Sequence, residues 1–247
     1  LYNHSRTSGD RDTLLQAPLD PPGMARYEYQ ASMDALRQDV LYMGDLVTEH
    51  LQYGLDSLRA KDPELANSVI IADNEINEMY LDLEQAFIDL IALQQPVASD
   101  LRFVVASFKI LTDLERIGDL AVNLAQYALA AERDLFPEVD IQKIGTVTVE
   151  MLTDALRAYE RELPELSHAI ATRDDELDEM CELASTIVVR DLMEAQTETT
   201  ADETGPTMQD ISRMLLTIRD LERVGDHAVN IAARSLYMVE DDDELLF

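Results

Sequence analysis

From Met24 onward, apolar residues recur at three- and four-residue spacing along nearly all of the chain, and strand-like alternation of β-branched residues is scarce. That period predicts helices. The breaks "KDPEL", "QQPVASD", "LFPEVD", "ATRDDE" and "TETTADETGPT" divide the pattern into six helices, expected over 26–60, 63–93, 97–133, 138–171, 173–199 and 206–240. Pro63, Pro96 and Pro206 fall at helix starts, where no amide hydrogen bond is lost. Pro164 falls inside the fourth expected helix and should bend or break it. Residues 1–23 hold Pro18, Pro21 and Pro22 among mixed polar residues without a period, so they are expected to be a disordered extension.

The pattern is written twice. "DLERIGDLAVNLA" begins at Asp113, and "DLERVGDHAVNIA" begins at Asp220; only Ile117/Val224, Leu120/His227 and Leu124/Ile231 differ. Upstream, "IADNEINEMY" and "ATRDDELDEM" share a spacing in which Asp73, Glu75 and Met79 correspond to Asp174, Glu176 and Met180. The offset is 107 residues for the first pair of segments and 101 for the second. A longer connection or helix end in one half accounts for the difference. The expected architecture is all-α: two similar three-helix bundles, over 24–135 and 136–247, joined near residues 134–137.

Helical phase locates the candidate chemistry. At about 100° per residue, Leu101, Val104, Phe108 and Leu111 share a sector of the third helix, as do Met208, Ile211, Leu215 and Ile218 in the sixth. This sector is expected to face the interior. Further along it is taken over by Glu115, Asp119 and Asn123, and by Glu222, Asp226 and Asn230. Like charges four residues apart destabilise a helix unless protons, cations or basic groups intervene, and Arg116 and Arg223 are the basic neighbours. Hard carboxylate pairs suit Mg, Mn, Ca or Fe. Asp73 with Asn77, and Asp174 with Asp178, could add ligands from the second and fifth helices. Gly118 and Gly225 cost helix propensity and therefore point to close approach of a neighbouring helix or ligand. The alternative is that these acids are solvated surface, with Arg116 and Arg223 in surface pairs.

Composition narrows the classes. Fifty acidic residues stand against 19 basic ones, for a formal charge of −31, and the lysines are Lys61, Lys109 and Lys143. Such a surface disfavours direct nucleic-acid binding and anionic membranes. It suits concentrated salt, hence a halophilic cytoplasm. No apolar run reaches the ~20 residues of a membrane span, and the first residues lack signal-peptide order. Cys181 is the single cysteine, which excludes an intrachain disulfide and a cysteine zinc site. Glu165 with His168 is a lone Glu-x-x-His match, where di-iron bundles use two. His227 adjoins Asp226 and is expected to be solvated, with a cation-assisting role as the second reading. No P-loop, dinucleotide fingerprint or nucleophile constellation is present.

The segment "QQPVASDLRFVVASFKILTDLERIGDLAVNLA" closely resembles the signature of the PhoU family of phosphate-transport regulators, and "TIRDLERVGDHAVNIA" resembles its second copy. The resemblance runs from about Arg26 to Phe247. It implies a cytoplasmic, non-enzymatic adaptor that restrains phosphate uptake and the phosphate-starvation response, acting on the phosphate ABC transporter ATPase and, in some members, a sensor histidine kinase. It leaves a homodimer open. It also implies iron or zinc on Glu/Asp-x-x-x-Asp motifs, which fall here at Glu115 with Asp119, Glu222 with Asp226, and Asp174 with Asp178; Mg and Mn are not excluded. Asn77 departs from that motif and removes a charge from the first half. The alternative function is a metal-dependent carboxylate-bundle enzyme or a metal-storage protein.

Overall fold

The structure is a computed structural model describing residues 22–94, 98–131, 136–197, 207–240 and 244–246. Six α-helices make up the fold: α1 Pro22–Ala60, α2 Pro63–Gln94, α3 Ala98–Ala130, α4 Ile141–Arg161, α5 Pro164–Thr197 and α6 Met208–Glu240, followed by a 3-10 turn at Glu244–Leu246. No strand occurs among the described residues. The expected disordered extension lies outside the described residues up to position 21, and α1 already begins at Pro22.

One expected boundary is wrong. The fourth and fifth helices divide at Arg161–Pro164, not near residue 172, so "ATRDDE" lies inside α5. The division is local chemistry: Glu162 adopts the left-handed conformation (φ 55°), its amide bonds to the Ala158 carbonyl, and Pro164, which has no amide to donate, opens the next helix. The first half ends α1 likewise, with Lys61 at φ 50° before Pro63. There Asp62 caps α2 by accepting from the Glu64 and Leu65 amides. The acidic run "RDDE" looked like a loop by composition, but Ile170, Leu177, Cys181, Ala184 and Val188 form a buried stripe at helical spacing straight through it.

α2 and α5 are the outer helices, each burying a narrow stripe, such as Val69, Ile76, Leu83, Phe87 and Leu90 in α2. α2 packs on α1 and α3, and α5 on α4 and α6. α3 and α6 each bury more than one face because they also pack on each other across the seam between halves, as α1 does on α4. The seam is a pseudo-two-fold. A Cβ on Gly44 would strike the Leu156 side chain, and one on Gly145 would strike Leu55. Gly44/Gly145 and Leu55/Leu156 are both related by the 101-residue offset, so one close crossing of antiparallel helices is made twice. Three residues separate α2 from α3 and ten separate α5 from α6, which accommodates the larger offset of the third helices.

Candidate functional site

The repeated phrase does two jobs, on two faces of its helix. Outward, the predicted acids come together in two equivalent patches. In the first, Asp73 of α2 faces Gly118 and interacts electrostatically with Asp119 and Glu115 of α3. In the second, Asp174 of α5 faces Gly225 and interacts with Asp226 and Glu222 of α6. Glu115, Glu222, Asp73, Asn77 and Asp174 are half-buried, whereas Asp119, Asp178 and Asp226 are exposed. The acids therefore sit on the outer contact of α2 with α3 and of α5 with α6, half-buried or exposed, and do not replace the apolar interior. The interior stripe itself holds: Val104, Leu111, Ile211 and Ile218 are buried and Phe108 and Leu215 pack against the core, while its first members, Leu101 and Met208, are 41% and 63% exposed at the helix starts.

The two patches differ in one atom pair. Asn77 Nδ2 donates to Asp73 Oδ2 at 2.7 Å, so an uncharged amide satisfies the first-half acid. Burial and then Asp119 push the Asp73 carboxyl above its ordinary range, while the Asn77 hydrogen bond pulls it back. In the second half Asp178 stands in the corresponding place and cannot donate when ionised. Asp174 Oδ1 is buried without a partner, and burial, then Asp178 and Asp226, push its carboxyl up to about 6. Burial, with Asp178 and Asp226 behind it, also raises Glu222. The donor set of the second patch is thus all hard oxygen, with an orphaned buried atom, and fits a hard cation by its chemistry. Among the described residues, however, no three His, Cys, Asp or Glu side chains converge into a ready ligand set.

The phrase also carries an inward-facing acid, to which its i to i+4 spacing gives no role. Asp220 is fully buried at the seam. It accepts from Asn123 Nδ2 at 3.1 Å, Tyr127 Oη at 2.8 Å and Arg219 at 3.0 Å. Burial and Asp220 push the Tyr127 hydroxyl up to about 12, which keeps it a donor. In the mirror position Asp113 lies 2.9 Å from His227 Nδ1 and accepts from Asn230 at 3.5 Å. His227 is therefore a buried seam residue bonded to Asp113, and neither of the roles expected for it. The signal was available: Asp113 keeps three- and four-residue register with Ile110 and Ile117, both fully buried. His168 is exposed, and burial pushes the Cys181 thiol up to about 12, leaving it inert at neutral pH.

These features define a class: an all-helical tandem repeat whose halves clasp through a buried polar seam and each present a repeat-related carboxylate patch outside. The PhoU domain matches residues 40–128 and 141–235, and the chain belongs to the PhoU family. It is 33% identical over 218 residues to the phosphate-specific transport system accessory protein PhoU of Serratia marcescens, covering 87% of this chain and 86% of that one. To the Escherichia coli (strain K12) accessory protein of the same name it is 31% identical over 218 residues, covering 87% of each. The crystal structure of PhoU from Pseudomonas aeruginosa superposes with a TM-score of 0.79 at 31% identity, over 87% of this chain and 100% of that one. The phosphate transport system regulatory protein PhoU from Streptococcus pneumoniae gives 0.76 at 28% identity, over 87% and 98%.

Proposed function

We propose that this chain is a negative regulator of phosphate uptake and phosphate-starvation signalling, working in the cytoplasm as a non-enzymatic adaptor on the ATPase of a phosphate ABC transporter, with a sensor histidine kinase as a second target. The observation that carries this is the match of both halves to one domain family, together with relatives named transport accessory proteins that align over most of their length. No described helix is long and apolar enough to cross a membrane, which agrees with a partner that supplies the membrane component. The enzyme or storage alternative finds no support among those relatives. Deleting the gene should raise phosphate uptake and starvation-gene expression in phosphate-rich medium. Unchanged uptake and expression would overturn the adaptor reading.

A metal role is a second reading, favoured by the unpartnered Asp174 Oδ1. Asp174, Asp178, Glu222 and Asp226 would hold the ion, with Fe, Zn, Mn or Mg as candidates. A bound cation would supply charge neutralisation there. The residues of this chain set the occupancy: Asn77 already satisfies Asp73, so Asp73, Glu115 and Asp119 have less need of a cation. Elemental analysis of protein purified without chelator should find metal that Asp174→Asn with Asp178→Asn removes and Asn77→Ala does not. Metal-free protein whose melting is unmoved by any of the four ions would sink this reading.

A further inference from the structure

α2 is an outer helix with an unusual exposed face. Leu81 is 60% exposed, Ile88 49% and Ile71 69%. Leu81 and Ile88 are seven residues apart, so they stack on one line down the helix, and Asn74 continues that line one heptad earlier. Beside it runs a second exposed line at the same spacing, Glu75, Asp82 and Asp89. In heptad terms the apolar pair occupies d, the acids occupy every e position, and the exposed Glu78 and Gln85 occupy a, so the apolar line is a single i, i+7 row rather than a full a/d seam. Glu84, at g, adds a half-buried acid on the other flank. From Pro63 to Gln94 the helix has seven acids and neither lysine nor arginine. α2 packs on α1 and α3 on its other side, so this line is not used in holding the bundle together.

An acidic surface built only for salt tolerance has no use for large aliphatic side chains set in register between the acids. An exposed leucine and isoleucine at i and i+7, flanked by Glu78, Glu75, Asp82 and Asp89, instead offers two apolar anchors inside an acidic frame for another helix. The charges choose the occupant. A second copy of α2 would bring acids against acids, e facing e in an antiparallel pair or e facing Glu84 in a parallel one, and like-charge pairing of this kind selects against a partner. We propose that the outward face of α2 is a docking surface for a basic amphipathic helix of a partner protein. Leu81 and Ile88 anchor its apolar stripe, and Glu75, Asp82 and Asp89 pair with its lysines or arginines. This rests on the adaptor reading for its biological meaning, since it names the kind of segment that the regulated partner offers.

The test uses the full chain and a synthetic helical peptide of about three heptads, Leu at a and d and Lys at e and g, with a Glu-for-Lys peptide as its counterpart. The basic peptide should bind the wild-type protein, bind the doubly substituted Leu81→Ser, Ile88→Ser protein at least ~tenfold more weakly, and lose affinity with salt. Leu183→Ser with Met193→Ser, changing exposed apolar residues of α5, controls for unspecific attraction to the −31 chain and should leave binding unchanged. Equal binding to wild type and to the α2 variant, equal loss in the α5 variant, or equal binding of the acidic peptide would each overturn the proposal. In cells, the α2 variant should fail to restore phosphate control to the deletion strain while circular dichroism shows it folded. If it restores control fully, the docking face is wrong and the adaptor reading stands. If the deletion itself leaves phosphate control normal, the adaptor reading fails and the peptide titration alone decides the face.

Discussion

Asp113 and Asp220 hold the same place in their repeats, and each crosses the seam to the other repeat's asparagine, Asp220 to Asn123 and Asp113 to Asn230. A phrase needed once per half for its outer carboxylate patch is thus needed twice over for the clasp. Because Asp220 is buried with three donors on it, Asp220→Ala leaves Asn123 and Tyr127 unpaired and should cost about 2–4 kcal/mol. Asn123→Ala leaves Tyr127 and Arg219 in place and should cost about 1 kcal/mol. Urea unfolding of the two variants checks the order.

The phrase's two glycines should respond oppositely to alanine. At Gly118 a Cβ meets Ile76 and Asp73 at 3.4 Å or more, ordinary contact, so Gly118→Ala should gain up to about 1 kcal/mol from helix propensity. At Gly225 it overlaps the Leu177 side chain and comes within 3.0 Å of Asp174 Oδ1. Leu177 is fully buried, so moving its Cδ2 aside must disturb the core around it, and Gly225→Ala should lose about 1–3 kcal/mol. Thermal melts of both variants decide it.

The second patch makes stability depend on pH in chelated protein. The Asp174 carboxyl stands at about 6 when folded against an ordinary 3.8, so the folded state binds the proton more tightly than the unfolded chain does. Its ionisation penalty is absent below the unfolded value and complete above the folded one. This carboxyl should therefore cost stability as pH rises from about 4 to 6. Asp174→Asn should flatten that window and raise stability at pH 7.5 by about 1 kcal/mol after screening. Melting against pH, with and without the substitution, measures both effects; a variant as pH-dependent as the wild type would refute the assignment to Asp174.

The charge of −31 makes the fold depend on salt. Repulsion that reaches about 30 Å at 0.01 M is confined to about 3 Å at 1 M. Melting temperature should rise steadily with NaCl over that range. A flat profile would remove salt tolerance as the reason for the acids.

The helices, the duplication and the composition of both carboxylate patches were legible in the chain, because helical period and i to i+4 spacing are local properties that survive without knowing any neighbour. The family could be named from the same local phrases. The residue pattern did not reveal which of two in-phase acids goes inward. Glu115 looked like the interior acid and Asp113 is, since α3 is covered on more than one side and only the position of α6 tells which side is closed and supplies His227 and Asn230 as partners. Composition also masked the α4–α5 boundary, where a left-handed Glu162 and the missing amide of Pro164 outweighed an acidic run that merely resembled a loop. Likewise Asn77 was visible as a missing charge, but that its amide turns back onto Asp73 while Asp174 Oδ1 meets no donor is a matter of side-chain direction. Spacing along one helix sets which residues can meet. Only the packing of that helix against others sets which of them are shut away from water, and with what partner.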